Sequence, residues 1–274
     1  MQPCYTTIVP NQFTNPWTNT EIAFLRTNIK ILTYKQMEKS LNRSPASIQS
    51  KIRYLPFQQK IKKHSVNSNF FKIWSPEMSY AVGFIAADGN ICHSGRGHVL
   101  HIACDDKDII EKLKLALQYE GPMYEKNRKN GKISYSLRIC DLEIFQDLIK
   151  LNITERKSLT LLPPQIPANF TRDYIRGYFD GDGSVSIGNI KYPKKLVVNF
   201  YSASKHMAEY LHTIIRSVCS DSYNGKIYLR LAHQKTPYYA IRLGHNAAKR
   251  LFFYMYKDAS LYLNRKYYTF LQGV

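Results

Sequence analysis

Two nine-residue stretches of this chain, Ala81–Gly89 (AVGFIAADG) and Ile175–Gly183 (IRGYFDGDG), end in the same Asp-Gly pair, and their acids, Asp88 and Asp182, stand 94 residues apart. Each stretch carries small residues four apart, Gly83 with Ala87 and Gly177 with Gly181, which share one face of a helix. Two such helices can pack with their backbones unusually close, at a cost of about 1 kcal/mol in helix propensity for each glycine. The compensating gain expected is that close packing brings the helix ends together and sets Asp88 beside Asp182. Two carboxylates so placed repel, and helix C-termini add negative potential, so the pair should attract a divalent cation. Aspartate oxygens select hard ions, Mg²⁺ first, with Mn²⁺ as another of that class. A hard cation beside a phosphodiester can polarise it and lower the pKa of water, and the chemistry expected is phosphodiester hydrolysis.

The elements that must position these acids are also written twice. Helix starts at Trp74-Ser75-Pro76-Glu77 and at Phe170-Thr171-Arg172-Asp173 lead into the two stretches. Tyr-Ser-Leu-Arg-Ile over 135–139 matches Tyr-Ala-Ile-Arg-Leu over 239–243, and Arg156-Lys157 matches Arg265-Lys266. Between these blocks, 98–104, 122–128 and 132–140 in the first half, and 184–188, 194–203, 226–234 and 237–243 in the second, are rich in Val, Ile, Leu and Tyr and predict strands. Amphipathic helices are expected from Asp105 through Tyr119 and from Ser204 through Val218. Over 226–234 the alternation places Lys226, Tyr228, Arg230 and Gln234 on one face of a strand and Ile227, Leu229 and Leu231 on the other. A sheet face that is basic, amide-bearing and aromatic suits a nucleic-acid groove. Lys126, Arg128, Arg138 and Arg242 are expected on the same kind of face.

The first quarter of the chain predicts three short helices. Thr18 with Glu21 forms a capping box flanked by a Trp17–Ile22 staple, Thr33 with Gln36 repeats the arrangement, and Ser44 precedes Pro45 at a first helical position. With a tight turn at Asn42 and Arg43, these make a helix-turn-helix unit over 1–58. Its third helix turns Ser47, Gln49, Ser50, Lys51 and Arg53 outward, as a helix lying in the major groove would. Residues 59–73 read as a basic linker that tracks phosphates. The two copies then occupy 74–163 and 164–274.

Charge agrees with a polyanionic partner. There are 39 Lys+Arg against 20 Asp+Glu, a net +19, of which +9 falls in residues 1–72. Such an excess is self-repelling unless a polyanion neutralises it. Five scattered cysteines without a C-x-x-C pair suggest neither a disulfide framework nor a zinc ribbon. His98, His101 and Cys104 are no metal cluster on a strand, because the middle residue faces away from the others. With neither an apolar run of membrane-spanning length nor a signal-peptide pattern, the chain reads as soluble and intracellular.

Gly83, Ala87, Asp88 and Gly89, then Gly177, Asp180, Gly181, Asp182 and Gly183, resemble the LAGLIDADG homing endonucleases, and two ordered copies in one chain resemble that family's single-chain members. The resemblance covers 74–274. It implies an α+β fold of two pseudo-symmetric αββαββα halves with saddle-shaped antiparallel sheets, acting on double-stranded DNA as a monomer without a protein partner. It implies catalytic Asp88 and Asp182, metal ligation by these acids and the carbonyls of Ala87 and Gly181, and basic Lys157 and Lys266 near the two sites. It also implies cuts across the minor groove that leave short 3′ overhangs. Ala86 departs from the motif where Asp180 keeps an acid, so the later acid of each motif is the one expected to matter. A splicing maturase acting on intron RNA and a non-cutting transcriptional regulator of the same fold stay open as alternatives.

Overall fold

The computed structural model describes residues 16–29, 32, 34–55, 64–94, 97–188, 195–231 and 237–274. The chain divides into two units, Met1–Ile61 and Lys62–Val274.

In the first unit, α1 (Asn19–Asn28), α2 (Tyr34–Leu41) and α3 (Pro45–Tyr54) close on Leu25, Met37 and Ile48, all buried. Thr18 and Glu21 form the expected capping box, and Ser44 caps α3 ahead of Pro45. Asn42 takes the left-handed conformation, φ 49°, which lets the chain turn sharply between α2 and α3. Arg43 stacks over Trp17 and pairs with Glu21 at 2.7 Å, tying that turn to the start of α1. The Thr33 cap falls outside the described residues.

The second unit holds two copies of one αββαββα order. The first is α4 (Pro76–Asp88), β1 (Asn90–Ser94), β2 (Gly97–Cys104), α5 (Lys107–Ala116), β3 (Met123–Asn127), β4 (Ile133–Cys140) and α6 (Leu142–Lys150). The second is α7 (Thr171–Asp182), β5 (Ser184–Ile187), β6 (Leu196–Ser202), α8 (Lys205–Cys219), β7 (Ile227–Leu231), β8 (Pro237–Leu243) and α9 (His245–Tyr256), with α10 (Asn264–Leu271) added. Each copy builds an antiparallel four-stranded sheet, ordered β1-β2-β4-β3 and β5-β6-β8-β7. The strand β1 is absent from the sequence expectation because NICHS is short and mostly polar.

One core runs through both copies. Along β6 burial alternates strictly, so that Leu196, Val198 and Phe200 face inward and Val197, Asn199 and Tyr201 face the other way. Helices α5 and α6 pack on the first sheet, and α8 and α9 on the second. The opposite face of each sheet has no helix packed on it among the described residues. Register places Lys126 opposite Ser134 and His101 opposite Arg138 on that face of the first sheet. On the second it pairs Tyr228 with Ala240, Arg230 with Tyr238, and Asn199 with Arg242.

Two expectations change. From His64 onward the segment read as a linker is docked on the first copy. Phe71 is buried, Asn67 donates its amide to the Leu117 carbonyl at 3.0 Å, and Ser68 donates to Asp141 at 2.9 Å. Phe70 and Phe71 carry enough apolar area to bury despite the polar residues around them. In β7, Ile227 packs on the core, but Leu229 and Leu231 are 63% and 69% exposed, because β7 is the sheet's outer strand.

Candidate active site

Helices α4 and α7 cross with their main chains in contact. A Cβ added at Gly83 would stand 2.2 Å from the Tyr174 carbonyl oxygen, and one at Gly177 2.0 Å from that of Tyr80. Only glycine permits this approach. A Cβ at Gly181 would stand 2.4 Å from that of Ala87, so contact persists to the last turn, where both helices end on their acids. Gly89 and Gly183 follow as C-caps, and each chain turns directly into a strand. Asp88 and Asp182 therefore meet where the two sheets begin.

Their electrostatics show the proximity. Burial pushes the Asp182 carboxyl up to about 6, the charge of Asp88 adds to the rise, and Lys157 and Lys266 oppose it. Asp88 is the more solvent-open of the two. Its carboxyl is also pushed up by the crowding of nearby atoms, against the pull of Lys266 first and Lys157 second. Both lysines are buried, and desolvation lowers the pKa of each ammonium, opposed at Lys157 by Asp182 and Asp88 and at Lys266 by Asp180 first and then Asp88. Lys157 donates to the Gly89 carbonyl. Lys266 donates to the carbonyls of Phe179 and Asp180 at 2.7 Å each and of Gly181 at 3.3 Å, the last turn of α7. A cation there offsets the negative end of the helix dipole.

Asp180, the extra acid of the second motif, has its carboxylate tied up in the interior, although its charge still supports Lys266. It is buried and accepts from Tyr80 Oη at 2.7 Å, Tyr256 Oη at 3.1 Å and the Leu263 amide at 2.8 Å. Around Asp182 lies a hollow of about 290 Å³ lined by both copies, with Ala87 and Ser158 from one and Tyr178 and Tyr201 from the other. Near Asp88, Asp105 and Arg128 pair at 2.9 Å, and both act on its charge. The sequence reading has Asp105 only as the start of a helix, and Ser158 and Tyr178 are absent from it as site residues. The adjacency of Ser158 to Lys157 and the place of Tyr178 one turn before Asp182 are the only sequence signals for two of them.

The expected groove-facing residues are distributed as follows. Lys126, Arg138, Lys226, Tyr228, Arg230 and Arg242 are exposed, and a hollow of about 380 Å³ on the second sheet is lined by Tyr228, Arg230 and Arg242 with Asn199, Tyr201 and Tyr238. Arg128 is exposed but engaged with Asp105 and Ser134. On α3, Gln49, Ser50 and Arg53 are exposed, whereas Ser47 and Lys51 are half-buried. Gln234 lies outside the described residues. His98 turns inward against Phe145, apart from His101, whose register neighbour is Arg138.

The donor set fits a hard cation. The described residues contain no group of three His, Cys, Asp or Glu that could hold a metal. Two crowded carboxylates and adjoining main-chain carbonyls are oxygen donors, and an Asp182 carboxyl raised first by burial and then by the charge of Asp88 is one that a divalent cation would relieve.

Among the described residues no helix is long and apolar enough to cross a membrane. Comparison with functionally curated proteins gives no significant match. Among solved structures, the homing endonuclease I-WcaI bound to its DNA recognition sequence aligns with 82% of this chain and 99% of its own, at 17% identity and a TM-score of 0.51. Mesophilic variants of the homing endonuclease I-DmoI align with 70% of this chain and 99% of theirs, at 14% identity and a TM-score of 0.44. The N-terminal LAGLIDADG domain of WhiA aligns with 69% and 87%, at 14% and 0.43. At 17% identity the first of these speaks to fold alone, and the fold is that of the homing endonuclease I-WcaI. A model of the LAGLIDADG-like domain matches residues 76–151 and again 169–252, one match for each copy of the αββαββα order, and the chain belongs to that family.

Proposed function

We propose that this chain is a site-specific endonuclease that cuts both strands of double-stranded DNA with a hard divalent cation, Mg²⁺ or Mn²⁺. The observation that carries this reading is the meeting of Asp88 and Asp182 at the ends of two helices in backbone contact, with one buried lysine beside each. Asp88 and Asp182, with the carbonyls of Ala87 and Gly181, would hold the cation. When bound, such an ion polarises the phosphodiester and eases deprotonation of water.

The chain's own groups do the rest. Lys157 and Lys266 are fixed by main-chain carbonyls, so they hold positive charge where a phosphate gains negative charge, with little rearrangement to make. The hollow beside Asp182 gives a phosphate room to enter. Two sheets in pseudo-twofold arrangement serve one strand each, in a single chain acting as a monomer. Lys126 and Arg138 on one open face, and Lys226, Tyr228, Arg230 and Arg242 on the other, contact the duplex. Arginine there suits the paired acceptors of guanine. The first unit serves as a helix-turn-helix module that extends the target by presenting Gln49, Ser50 and Arg53 of α3 to a major groove.

The test is a plasmid carrying the junction formed when the DNA encoding this chain is removed from its flanks, incubated with Mg²⁺ or with chelator. The parent protein should linearise it only with the metal, and Asp182→Asn should not. Failure of the parent to linearise it removes the nuclease reading. Retained tight binding would then favour a regulator, and binding to intron RNA instead a maturase. Because residues 64–73 belong to the second unit's fold, truncation should stop at residue 61. That variant should bind more weakly yet still cut saturating DNA.

A further inference from the structure

Segments 153–157 and 262–266 correspond in sequence, Arg156-Lys157 matching Arg265-Lys266, and each brings its lysine to main-chain carbonyls at the end of its own copy's motif helix, but they are held differently. In the second copy three of the four residues before Lys266, namely Tyr262, Asn264 and Arg265, are gripped by α5 and its N-cap, which belong to the first copy. Asp106 receives Arg265 through Nε at 3.1 and 3.2 Å and through Nη2 at 2.8 Å, a two-oxygen contact. Asp108 accepts the Asn264 amide at 3.2 Å. Lys112 donates to the Tyr262 carbonyl and to Asn264 Oδ1 at 2.7 Å each, with its ammonium 4.5 Å from the Tyr262 ring centre. From the other side, Asp180 accepts the Leu263 amide.

Asp106 also gives something up. It occupies the N-cap of α5 yet makes no side-chain cap, although Thr18, Ser44, Ser75, Asp141 and Ser204 each cap their helices. Aspartate is among the best capping residues. Here its carboxylate is spent on Arg265.

In the first copy, among the described residues, no comparable grip from the other copy precedes the lysine. Arg156 sits in the left-handed conformation, φ 55°, exposed, and forms no ion pair among the described residues. Glu155 is engaged by His93 of its own copy. The nearest reach from α8 is the Ser204 hydroxyl to the Leu161 carbonyl at 2.6 Å, four residues past Lys157.

We infer that Asp106, with Asp108 and Lys112, forms a clasp that positions Lys266, so that one of the two strand-cutting sites depends on a cross-copy ion pair and the other does not. Asp106 and Arg265 are positioning residues, acting through the next residue in the chain. This rests on the nuclease reading for its kinetic consequence, but the clasp itself is a statement about Lys266.

The experiment compares parent, Asp106→Asn, and the exchange Asp106→Arg with Arg265→Asp. Cleavage of the junction duplex, labelled separately on each strand, gives the two strand rates. Amine acetylation followed by mass spectrometry gives the labelling rates of Lys157 and Lys266 in the full chain without DNA. Asp106→Asn should slow one strand by about tenfold and leave the other within about twofold, so that nicked circles accumulate, with duplex affinity not reduced. The exchange should restore the slow strand in part. Labelling of Lys266 should rise by about fivefold, with that of Lys157 within twofold of the parent.

Equal slowing of both strands, or none, overturns the inference, because a clasp that only supports the fold would not tell the strands apart. If the parent cuts neither strand, the nuclease reading fails and labelling decides alone. Unchanged labelling of Lys266 in Asp106→Asn then overturns the clasp, and a rise confined to Lys266 upholds it.

Discussion

Helices α4 and α7 share one crossing and the same terminal acid, yet they fill the interior in opposite ways. From Met78 to Ala86, α4 is buried with nothing more polar than Ser79 and Tyr80. At the matching places α7 carries Asp173 for Ser79, Arg176 for Val82 and Asp180 for Ala86, all buried. Each side chain is partnered, although one Asp173 oxygen, Oδ2, accepts no hydrogen bond among the described residues. Arg176 reaches Asp173 at 2.7 Å and the carbonyls of Met255 and Leu261 at 2.6 and 2.9 Å. These hold the turn after α9, and Asp180 holds the residue just beyond it. The polar version thus ties the helix to the segment that leads into Lys266. The lesson is that the backbone crossing is common to both copies, while the side chains above it are free to specialise.

Substitutions that carry α4's residues into α7 test this division. Arg176→Val alone should cost about 3–5 kcal/mol, since it leaves the Asp173 charge buried without its partner. Adding Asp173→Ser should recover much of that, and a double variant no more stable than the single would break the comparison; chemical denaturation reads both. Next, Gly177→Ala and Gly83→Ala should each cost about 3 kcal/mol, because the new methyl meets a carbonyl oxygen that cannot swing aside. Similar losses in thermal melts are required if the crossing is the shared part. Asp180→Ala should cost about 2 kcal/mol by stranding two hydroxyls and an amide. Its metal-dependent cutting, if Lys266 keeps its place, should fall less than that of Asp182→Asn. The smallest change is Ser79→Ala, about 1 kcal/mol, for the bond to the Phe170 carbonyl at 2.8 Å.

What could be read in the residues alone follows from how local the cause is. Capping at Thr18, Ser44 and Ser75 depends on three or four neighbours, and the structure has all three caps. The duplication is visible because both copies keep the glycines and the terminal acid, and the role of those glycines follows from the missing Cβ. Position 106 misleads for the converse reason: Asp106 has the composition of a cap, but its partner lies 159 residues away. Leu229 and Leu231 alternate like inward residues, and only strand order reveals that they stand at an edge. Phe70 and Phe71 are hidden among lysines, serines and asparagines, so a docked segment reads as a tether.

The glycine crossing has one more consequence. Because main chain touches main chain, the separation of Asp88 and Asp182 is set by atoms that every residue type shares, and no rotamer change in either sheet can alter it. On the proposed nuclease reading, the interval between the two phosphates to be cut would then be a fixed length of the molecule, mechanically uncoupled from the surfaces that choose where it is applied. On the same reading, exchanging residues such as Arg138, Arg230 and Arg242 would redirect the protein along a duplex while the geometry of the paired cuts stayed as it was.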